Sequence, residues 1–231
     1  MVVAFSDDFT STSLSTSWST CWWYQRPTCS HSNGEEELYT PNNVAVSGGA
    51  LHLTARRESA TGPGVDGNPK SFNYTSGMVT TRDTFALSYG YVEWRAFVPA
   101  GQGMWPALWM LPSDNSWPPE LDVLEVVGKD THTGAFTWYS VDGKPHPSPT
   151  YKTFPFDLAS DWHVYGVDRE PSGITWYVDG KPISSTDQQL DGRPMYLVMN
   201  LAVGGVWPGA PDATTPFPNT FSIDYVRAWT H

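Results

Sequence analysis

The chain has 231 residues, with 24 acidic against 13 basic side chains, a formal net charge of −11 and 12 tryptophans. An acidic surface repels phosphate backbones, and no run of Lys and Arg interrupts it, so nucleic acid is not expected as a partner. No segment approaches the roughly 18 apolar residues of a membrane span, so no membrane partner is expected either. The tryptophans exceed what a core requires and indicate a surface that stacks on flat ligand faces.

The first elements in chain order are an N-terminal run and a cysteine loop. The run "MVVAFSDDF" lacks the pattern of a signal peptide, so we interpret the chain as the mature part of a secreted, monomeric protein. Cys21 and Cys29 follow closely on one another, which favours a short disulfide loop in such a protein, with two free thiols as the alternative. Trp22 and Trp23 on this loop either form a cleft wall or cover the edge of the core.

Short β-rich runs then recur between Gly- and Pro-rich turns, and helical spacing of apolar residues is almost absent. "NVAVSGGALHLTARR" predicts two strands joined by a Ser-Gly-Gly turn, residues 58–77 read as a long loop, and "YVDGKPI" predicts an Asp-Gly hairpin turn. Many short strands without a βαβ rhythm predict an all-β fold, an antiparallel two-sheet sandwich. No linker-like segment divides the chain, so residues 1–231 are predicted to form a single catalytic domain.

The apolar strand within "WPPELDVLEVVG" carries three acids, Glu120, Asp122 and Glu125. Regular alternation puts Glu120 and Asp122 on one face and Glu125 on the other, but a β-bulge near Val123–Leu124 would return Glu125 to the first face. Three adjacent carboxylates cannot all ionise at low cost, so at least one pKa should rise, as a general acid beside an ionised partner requires. Such pairs of carboxyl groups carry out glycoside hydrolysis. The alternative interpretation is that the three acids belong to a charged, solvent-facing edge strand.

Several segments, in order along the chain, resemble the laminarinase-like branch of glycoside hydrolase family 16. "ELDVLE" is similar to the bulged E-x-D-x-x-E signature of that family, and "SGMVTTRDTFALSYGYVEWRAFVPAGQGMWPALWMLP" and "MYLVMNLAVGGVWPGAPDATTPFPNTFSIDYVRAW" resemble it as well. The resemblance implies a β-jelly-roll with an open cleft on its concave sheet. It also implies a retaining endo-glycosidase that hydrolyses internal β-1,3 bonds of β-glucan by double displacement, with no cofactor for catalysis.

The same resemblance implies roles for the acids. Glu120 matches the nucleophile, Glu125 matches the general acid/base, and Asp122 between them would tune the nucleophile by hydrogen bonding; the sequence alone does not order the two glutamates. A β-1,3-1,4-glucanase or a β-galactan hydrolase of the same family is the alternative within this class. A lectin-like module that binds glucan with the same aromatic residues and no chemistry is the alternative outside it.

The residues that the resemblance places near the sugar chain are aromatic or polar and are spread along the sequence: Asn33, Glu37, Arg82, Trp105, Trp109, Trp117, Trp138, Asn200 and Trp207. For Trp105 and Trp109 the alternative is burial in the core, and for Arg82 it is a surface ion pair with Asp83 or another acid. Because three glutamates follow one another at 35–37, the choice of Glu37 among them stays open. Trp138 stands about where laminarinase-like relatives carry a histidine, so substrates other than laminarin stay open.

A structural calcium ion on the convex side is the remaining implication of the resemblance. Asp8 in "SDDF", Asp224 in "SIDY" and the carbonyl of Gly49 would supply the oxygen ligands that calcium prefers. The alternative is that these acids are simply solvated at strand ends. The six histidines are scattered without a paired spacing, so zinc chemistry is not predicted.

Overall fold

The structure is a computed structural model that describes residues 1–24, 26–140, 150–188 and 190–231. In these ranges the chain forms β-strands and a short 3₁₀ turn, Pro41–Asn43, and most strands pair antiparallel in two large sheets. The predicted all-β sandwich is therefore confirmed. No helix in the described ranges is long and apolar enough to cross a membrane.

An eight-stranded sheet, here called the back sheet, runs in the order β18-β17-β16-β11-β20-β6-β5, with β1 also paired to β20. Its strands are β1 Val2–Asp7, β5 Val44–Ser47, β6 Ala50–Ala55, β11 Gly90–Phe97, β16 His163–Glu170, β17 Gly173–Val178, β18 Lys181–Thr186 and β20 Asn219–Thr230. β17 and β18 form the predicted Asp-Gly hairpin. Asp179 and Gly180 have φ of 50° and 71°, the left-handed pair that a two-residue type I′ turn requires.

A six-stranded sheet, here called the cleft sheet, runs in the order β10-β19-β12-β13-β14-β15. Its strands are β10 Met78–Thr80, β12 Met104–Pro112, β13 Glu120–Val126, β14 Thr133–Tyr139, β15 Thr150–Thr153 and β19 Met195–Val203. The acid strand is β13, and it has a paired strand on each side, β12 and β14. It is an interior strand, so the alternative of a charged edge strand is wrong.

Three small strand pairs lie outside the large sheets: β2 Trp22–Tyr24 with β3 Arg26–Thr28, β4 Glu37–Tyr39 with β9 Tyr74–Ser76, and β7 Ala60–Pro63 with β8 Pro69–Phe72. The last two pairs correct the prediction of a long loop over residues 58–77. The segment is polar and rich in Gly and Pro, which suits a loop, but its backbone pairs as a hairpin and a short parallel strand.

The two large sheets share one cluster of buried side chains. In the back sheet, β11 buries every second residue, so Val92, Trp94 and Ala96 join the same cluster as Leu108 and Leu124 of the cleft sheet. Each large apolar side chain buried in this way contributes roughly 1.5–3 kcal/mol relative to exposure. The inner face of the cleft sheet is thereby fixed, and its outer face is available for a site.

Strand β19 is buried along its whole length because its outer face is covered as well. Tyr39 of β4 packs there with Met78, Tyr196 and Val198 in a second buried cluster. The segment 30–39 thus crosses the outer face of the cleft sheet, and several residues of this segment form walls of the site described next.

Candidate active site

A β-bulge interrupts the acid strand at the predicted place. On the β12 side Trp109 pairs with Asp122 and Leu108 with Leu124; on the β14 side Asp122 and Glu125 pair with residues that are two, not three, positions apart. β13 thus has one residue more than its partners, at Val123–Leu124. Glu120, Asp122 and Glu125 consequently line the same cleft, as the sequence predicted.

The cleft on the outer face of the cleft sheet has a volume of ≈ 560 Å³. Five aromatic side chains form much of its wall: Tyr39, Trp105, Trp109, Trp117 and Tyr139. Flat rings of this kind stack on the apolar faces of sugars, as they do on other flat ligands. A cleft that combines aromatic walls with three carboxylates can both hold a sugar chain and carry out acid–base chemistry on it.

Two tryptophan side chains donate hydrogen bonds to the two glutamates. The Trp117 Nε1–H group donates to Oε2 of Glu120 at 2.8 Å, and the Trp105 Nε1–H group donates to Oε1 of Glu125 at 3.0 Å. Each indole contacts only one carboxylate oxygen of its glutamate, so the second oxygen is available to a substrate. The indoles therefore fix both carboxyl groups in the cleft.

The surroundings of the acids give them different protonation. Burial raises the pKa of Glu125 to about 8, with the charge of Glu120 adding to the effect and the bond from Trp105 opposing it. Burial also raises the pKa of Glu120, but the Trp117 hydrogen bond and the nearby His31 both lower it. Burial, then Glu125 and Glu120, hold the pKa of Asp122 well above its usual range. A pKa of about 8 leaves Glu125 mostly protonated at neutral pH. Glu120 differs in that a hydrogen bond and a nearby histidine both oppose the rise in its pKa.

A chain of hydrogen bonds leads away from the acids along the opposite wall. The Trp109 indole N–H donates to Oδ1 of Asn200 at 2.8 Å, and Nδ2 of Asn200 donates to the Tyr39 hydroxyl at 2.9 Å. The Tyr39 hydroxyl donates to Oε2 of Glu35 at 3.2 Å, and Oε1 of Glu35 lies 3.0 Å from Nδ1 of His31. This network fixes the ring of Trp109 in the cleft.

Comparison with known proteins identifies the family to which the chain belongs. Residues 31–227 match the family description Glycosyl hydrolases family 16. The chain belongs to this family. The predicted resemblance to this family is therefore confirmed.

The names of three similar proteins refer to β-linked glycans or glucans. The endo-1,3-1,4-beta-glycanase ExsH of Rhizobium meliloti (strain 1021) is 37% identical over 97% of this chain and 51% of its own length. Glucan endo-1,3-beta-glucosidase A1 of Niallia circulans is 35% identical over 99% of this chain and 38% of its own length. The chain therefore spans about half or less of these two relatives. The solved endo-beta-1,3-glucanase of Pyrococcus furiosus has a TM-score of 0.88 at 34% identity, covering 99% of this chain and 94% of that one.

Most of the predicted sugar-contacting residues line the cleft. Trp105, Trp109 and Trp117 are there, so burial in the core, the alternative for the first two, does not occur. Asn33 and Asn200 line it too, and Asn200 has the hydrogen-bonded partners that an amide between apolar neighbours requires.

Trp138 is a wrong prediction, because it faces the core. Its side chain is 3% exposed and belongs to the buried cluster between the sheets. The reason is strand parity: Trp138 pairs with the inward-facing Leu121, while its neighbour Tyr139 pairs with Glu120 and lines the cleft. The register, which the sequence alone does not give, decides which of the two aromatic residues can meet a substrate.

Glu37 is a wrong prediction for a similar reason. It is fully buried below the cleft, where its Oε2 accepts the backbone N–H of Val203 at 2.8 Å, and Glu35, two residues earlier, lines the cleft in its place. Burial, followed by the neighbouring Glu35 carboxylate, holds the pKa of Glu37 well above its usual range. A neutral Glu37 avoids the repulsion that two ionised carboxylates would have at this place.

Arg82 and Trp207 do not line the cleft. The Arg82 guanidinium donates to Oδ1 of Asn115 at 3.1 Å and to Asp83 at 3.0 Å, so the ion pair that was the alternative for Arg82 is present. Trp207 packs edge-on against Trp105, with ring centroids 5.5 Å apart. It supports a cleft tryptophan and does not form the wall itself.

Two of the three residues predicted to bind calcium, Asp8 and Asp224, are paired with arginines. The Asp8 carboxylate accepts a hydrogen bond from Arg227 at 2.9 Å, and the Asp224 carboxylate accepts one from Arg95 at 2.7 Å. Gly49 lies in the β5–β6 turn with φ of 79°. Each arginine bonds one oxygen of its aspartate and leaves the second oxygen available, so the calcium site remains a prediction.

Cys21 and Cys29 form the predicted disulfide, with Cα atoms 5.1 Å apart, so the alternative of two free thiols is wrong. The bridge closes the loop directly before Ser30 and His31, two residues of the cleft wall. The side chains of Trp22 and Trp23 lie outside the described part of the chain.

The sequence interpretation missed four residues of the site: His31, Glu35, Tyr39 and Tyr139. Tyr139 could have been found, because a two-residue alternation on β14 opposite the acid strand marks its cleft-facing positions once the register is known. The other three lie on a segment that crosses the sheet, and no local pattern in the sequence reveals that path.

Proposed function

We propose that this family-16 protein is a retaining endo-glycosidase that hydrolyses internal β-1,3 linkages of β-glucan. The observation that carries the proposal is the pairing of two cleft carboxyl groups in different states. Glu125 is a protonated acid with a pKa of about 8, while Glu120 accepts a hydrogen bond that favours its charge. This is the division of roles that double displacement requires of its acid and its nucleophile.

In the first half of the reaction, Glu125 gives its proton to the glycosidic oxygen as the bond to the leaving sugar breaks. The Oε1 atom of Glu120, the oxygen that the Trp117 indole leaves free, attacks the anomeric carbon and forms a glycosyl ester. The loss of the proton makes Glu125 a base.

In the second half, Glu125 takes a proton from water while the water oxygen attacks the anomeric carbon. The ester bond to Glu120 breaks, so Glu120 recovers its charge and Glu125 its proton. Asp122 is buried between the two, with its pKa well above its usual range. A neutral Asp122 avoids a third charge and can donate a hydrogen bond to Glu120, which moderates the charge that Glu120 regains.

The substrate class rests on the aromatic wall and on the relatives. Trp105, Trp109, Trp117 and Tyr139 present rings to the cleft, as an uncharged sugar chain requires, and the acids disfavour an anionic one. A mixed-linkage β-1,3-1,4-glucan is the second candidate, because the 37% identical relative carries the name endo-1,3-1,4-beta-glycanase. The disulfide supports the further proposal that the protein is secreted.

Release of reducing ends from laminarin, lichenan and agarose tests the proposal. We expect rapid release from laminarin, slower release from lichenan and none from agarose, with short oligosaccharides as products. Cleavage of agarose alone would assign the protein to galactans. Binding of laminarin without cleavage of any of the three would make it a lectin-like module. Gel filtration of the same preparation tests the proposed monomer.

A further inference from the structure

A tryptophan of the back sheet reaches the acid strand from behind. Trp176 lies in the middle of β17, is fully buried, and points between the sheets together with Ile174 and Val178. Its Nε1–H group donates a hydrogen bond to the backbone carbonyl of Asp122 at 2.9 Å. This bond crosses the sandwich and joins the back sheet to the strand that carries the catalytic carboxylates.

The accepting carbonyl stands at the start of the bulge. Asp122 is the last residue that pairs regularly with both neighbouring strands before the extra residue at Val123–Leu124. In a regular ladder the carbonyl groups lie in the plane of the sheet and point at adjacent strands. A bond received from the opposite sheet requires a carbonyl tilted out of that plane, as a bulge allows.

The bulge decides which side chains meet the substrate. With the extra residue accommodated, Leu124 is fully buried in the core and Glu125 lines the cleft. Without it, regular alternation would turn Glu125 towards the core and Leu124 towards the cleft, because a one-residue slip exchanges the two faces of a strand. An interaction that favours the bulged backbone therefore also favours the catalytic arrangement.

We propose that Trp176 is a positioning residue that holds the bulge of the acid strand, and thereby keeps Glu125 in register with Glu120. The inference rests on the proposed roles of the two glutamates. Trp176 does not touch the cleft; it acts through the backbone of Asp122. The fold thus uses the packing of its two sheets to set the geometry of the catalytic pair.

The back sheet also contains a matched control. Trp94 on β11 is fully buried like Trp176, and it belongs to the same core cluster. Its Nε1 atom has no hydrogen-bond partner among the residues that the structure describes. Replacing either tryptophan by Phe removes the same atoms from the same core, but only Trp176→Phe removes a hydrogen bond to the acid strand.

The experiment compares Trp176→Phe and Trp94→Phe with the unchanged protein on laminarin. We expect Trp176→Phe to lower kcat at least ~10-fold, the size of effect that a small misplacement of catalytic groups produces. KM should change less than about twofold, because the aromatic walls remain. The alkaline limb of the kcat profile should also move to lower pH, since a loosened Glu125 loses part of the burial that raises its pKa. Trp94→Phe should keep kcat and the profile and lose only thermal stability.

A second variant covers the case in which Trp176→Phe fails to fold. Replacing Trp176 with 3-benzothienylalanine keeps the bicyclic shape but has sulfur in place of the N–H group, and it should reproduce the lowered kcat and the shifted limb. Native kcat in this variant, or equal losses in Trp176→Phe and Trp94→Phe, would overturn the proposal. An unchanged protein that cleaves none of the glucans would instead contradict the proposed function, so the two failures are distinct.

Discussion

In the part of the chain that the structure describes, two clusters of acids lie close to each other's carboxyl groups but differ in what they face. The triad of Glu120, Asp122 and Glu125 lines an open cleft, and its two glutamates accept hydrogen bonds from indole N–H groups. The pair of Glu35 and Glu37 lies beside Tyr39 and the backbone of β19, with Glu37 fully enclosed. Burial raises the pKa of Glu37 as it raises those of the triad.

The comparison teaches that a raised pKa does not by itself mark a catalytic acid. The triad lines the cleft, where the proposed substrate could reach its protons. In the pair, the Glu37 carboxyl is fully enclosed, so a substrate cannot reach its proton. Burial is the main cause of the raised pKa values in both clusters, and only access to a substrate distinguishes one cluster from the other.

The largest effect should come from Glu120→Gln. An amide cannot form the glycosyl ester, so kcat should fall at least ~1,000-fold, while the affinity for laminarin oligosaccharides stays within a few-fold. Stopped assays over long times together with calorimetric binding measure both quantities. Near-native turnover would show that Glu120 is not the nucleophile. The triad would then no longer differ in function from the pair of Glu35 and Glu37.

A somewhat smaller loss is expected for Glu125→Gln. Without general acid catalysis kcat should fall roughly 100- to 10,000-fold. In the unchanged protein, kcat/KM should fall as pH rises through about 8, because Glu125 must hold its proton to act as the acid. Aryl glucosides with good leaving groups need little protonation, so the variant should retain more activity on them and lose this alkaline limb. A limb that persists in the variant would assign it to another group.

Trp109→Phe should affect binding more than chemistry. The phenyl ring keeps a stacking surface, but the Asn200 amide loses the N–H group that orients it. A lost hydrogen bond of this kind costs about 1 kcal/mol, or roughly fivefold in KM, with kcat nearly unchanged. Steady-state kinetics on laminarin oligosaccharides measure the split, and Trp94→Phe serves again as the control for a core tryptophan. A drop confined to kcat would contradict the role of this network as a wall.

The smallest catalytic effect is expected for Glu37→Gln. Glutamine is neutral and can accept the Val203 N–H group through its amide oxygen, as Glu37 does through Oε2, so kcat should stay within about twofold. Stability should differ with pH: the folded protein keeps the Glu37 proton, while the unfolded chain loses it above about pH 4.5, its ordinary pKa. The free energy of unfolding of the unchanged protein should therefore fall as pH rises from there, and the variant should fall less. If thermal melts show the same pH dependence of stability for the variant and for the unchanged protein, Glu37 is ionised in the folded state.

The sequence was sufficient where the local pattern determines the structure. The alternation broken between Asp122 and Glu125 predicted the bulge, and the resemblance to family 16 placed Trp105 and Trp109 in the cleft. It was insufficient where the strand register decides which face a residue occupies. Trp138 and Tyr139 are equally plausible as cleft residues until the strand pairing is known. It was also insufficient for contacts between distant segments.

Three successive glutamates illustrate the second limit. Glu35, Glu36 and Glu37 carry no pattern that says which one faces the cleft, because the segment is held by strands far away in the chain. The bond from Trp176 to Asp122 is of the same kind: it joins residues 54 positions apart across two sheets. Only the packed structure reveals either arrangement.

The anomeric form of the first product tests the central claim most directly. Proton NMR of laminarin oligosaccharide hydrolysis, recorded before mutarotation, reports whether the new reducing end is β or α. If Glu120 is the nucleophile and Glu125 the acid/base of a double displacement, the β anomer should appear first and decay towards equilibrium. Initial formation of the α anomer would contradict the account, because it would mean that water attacks directly and that no glycosyl ester forms on Glu120.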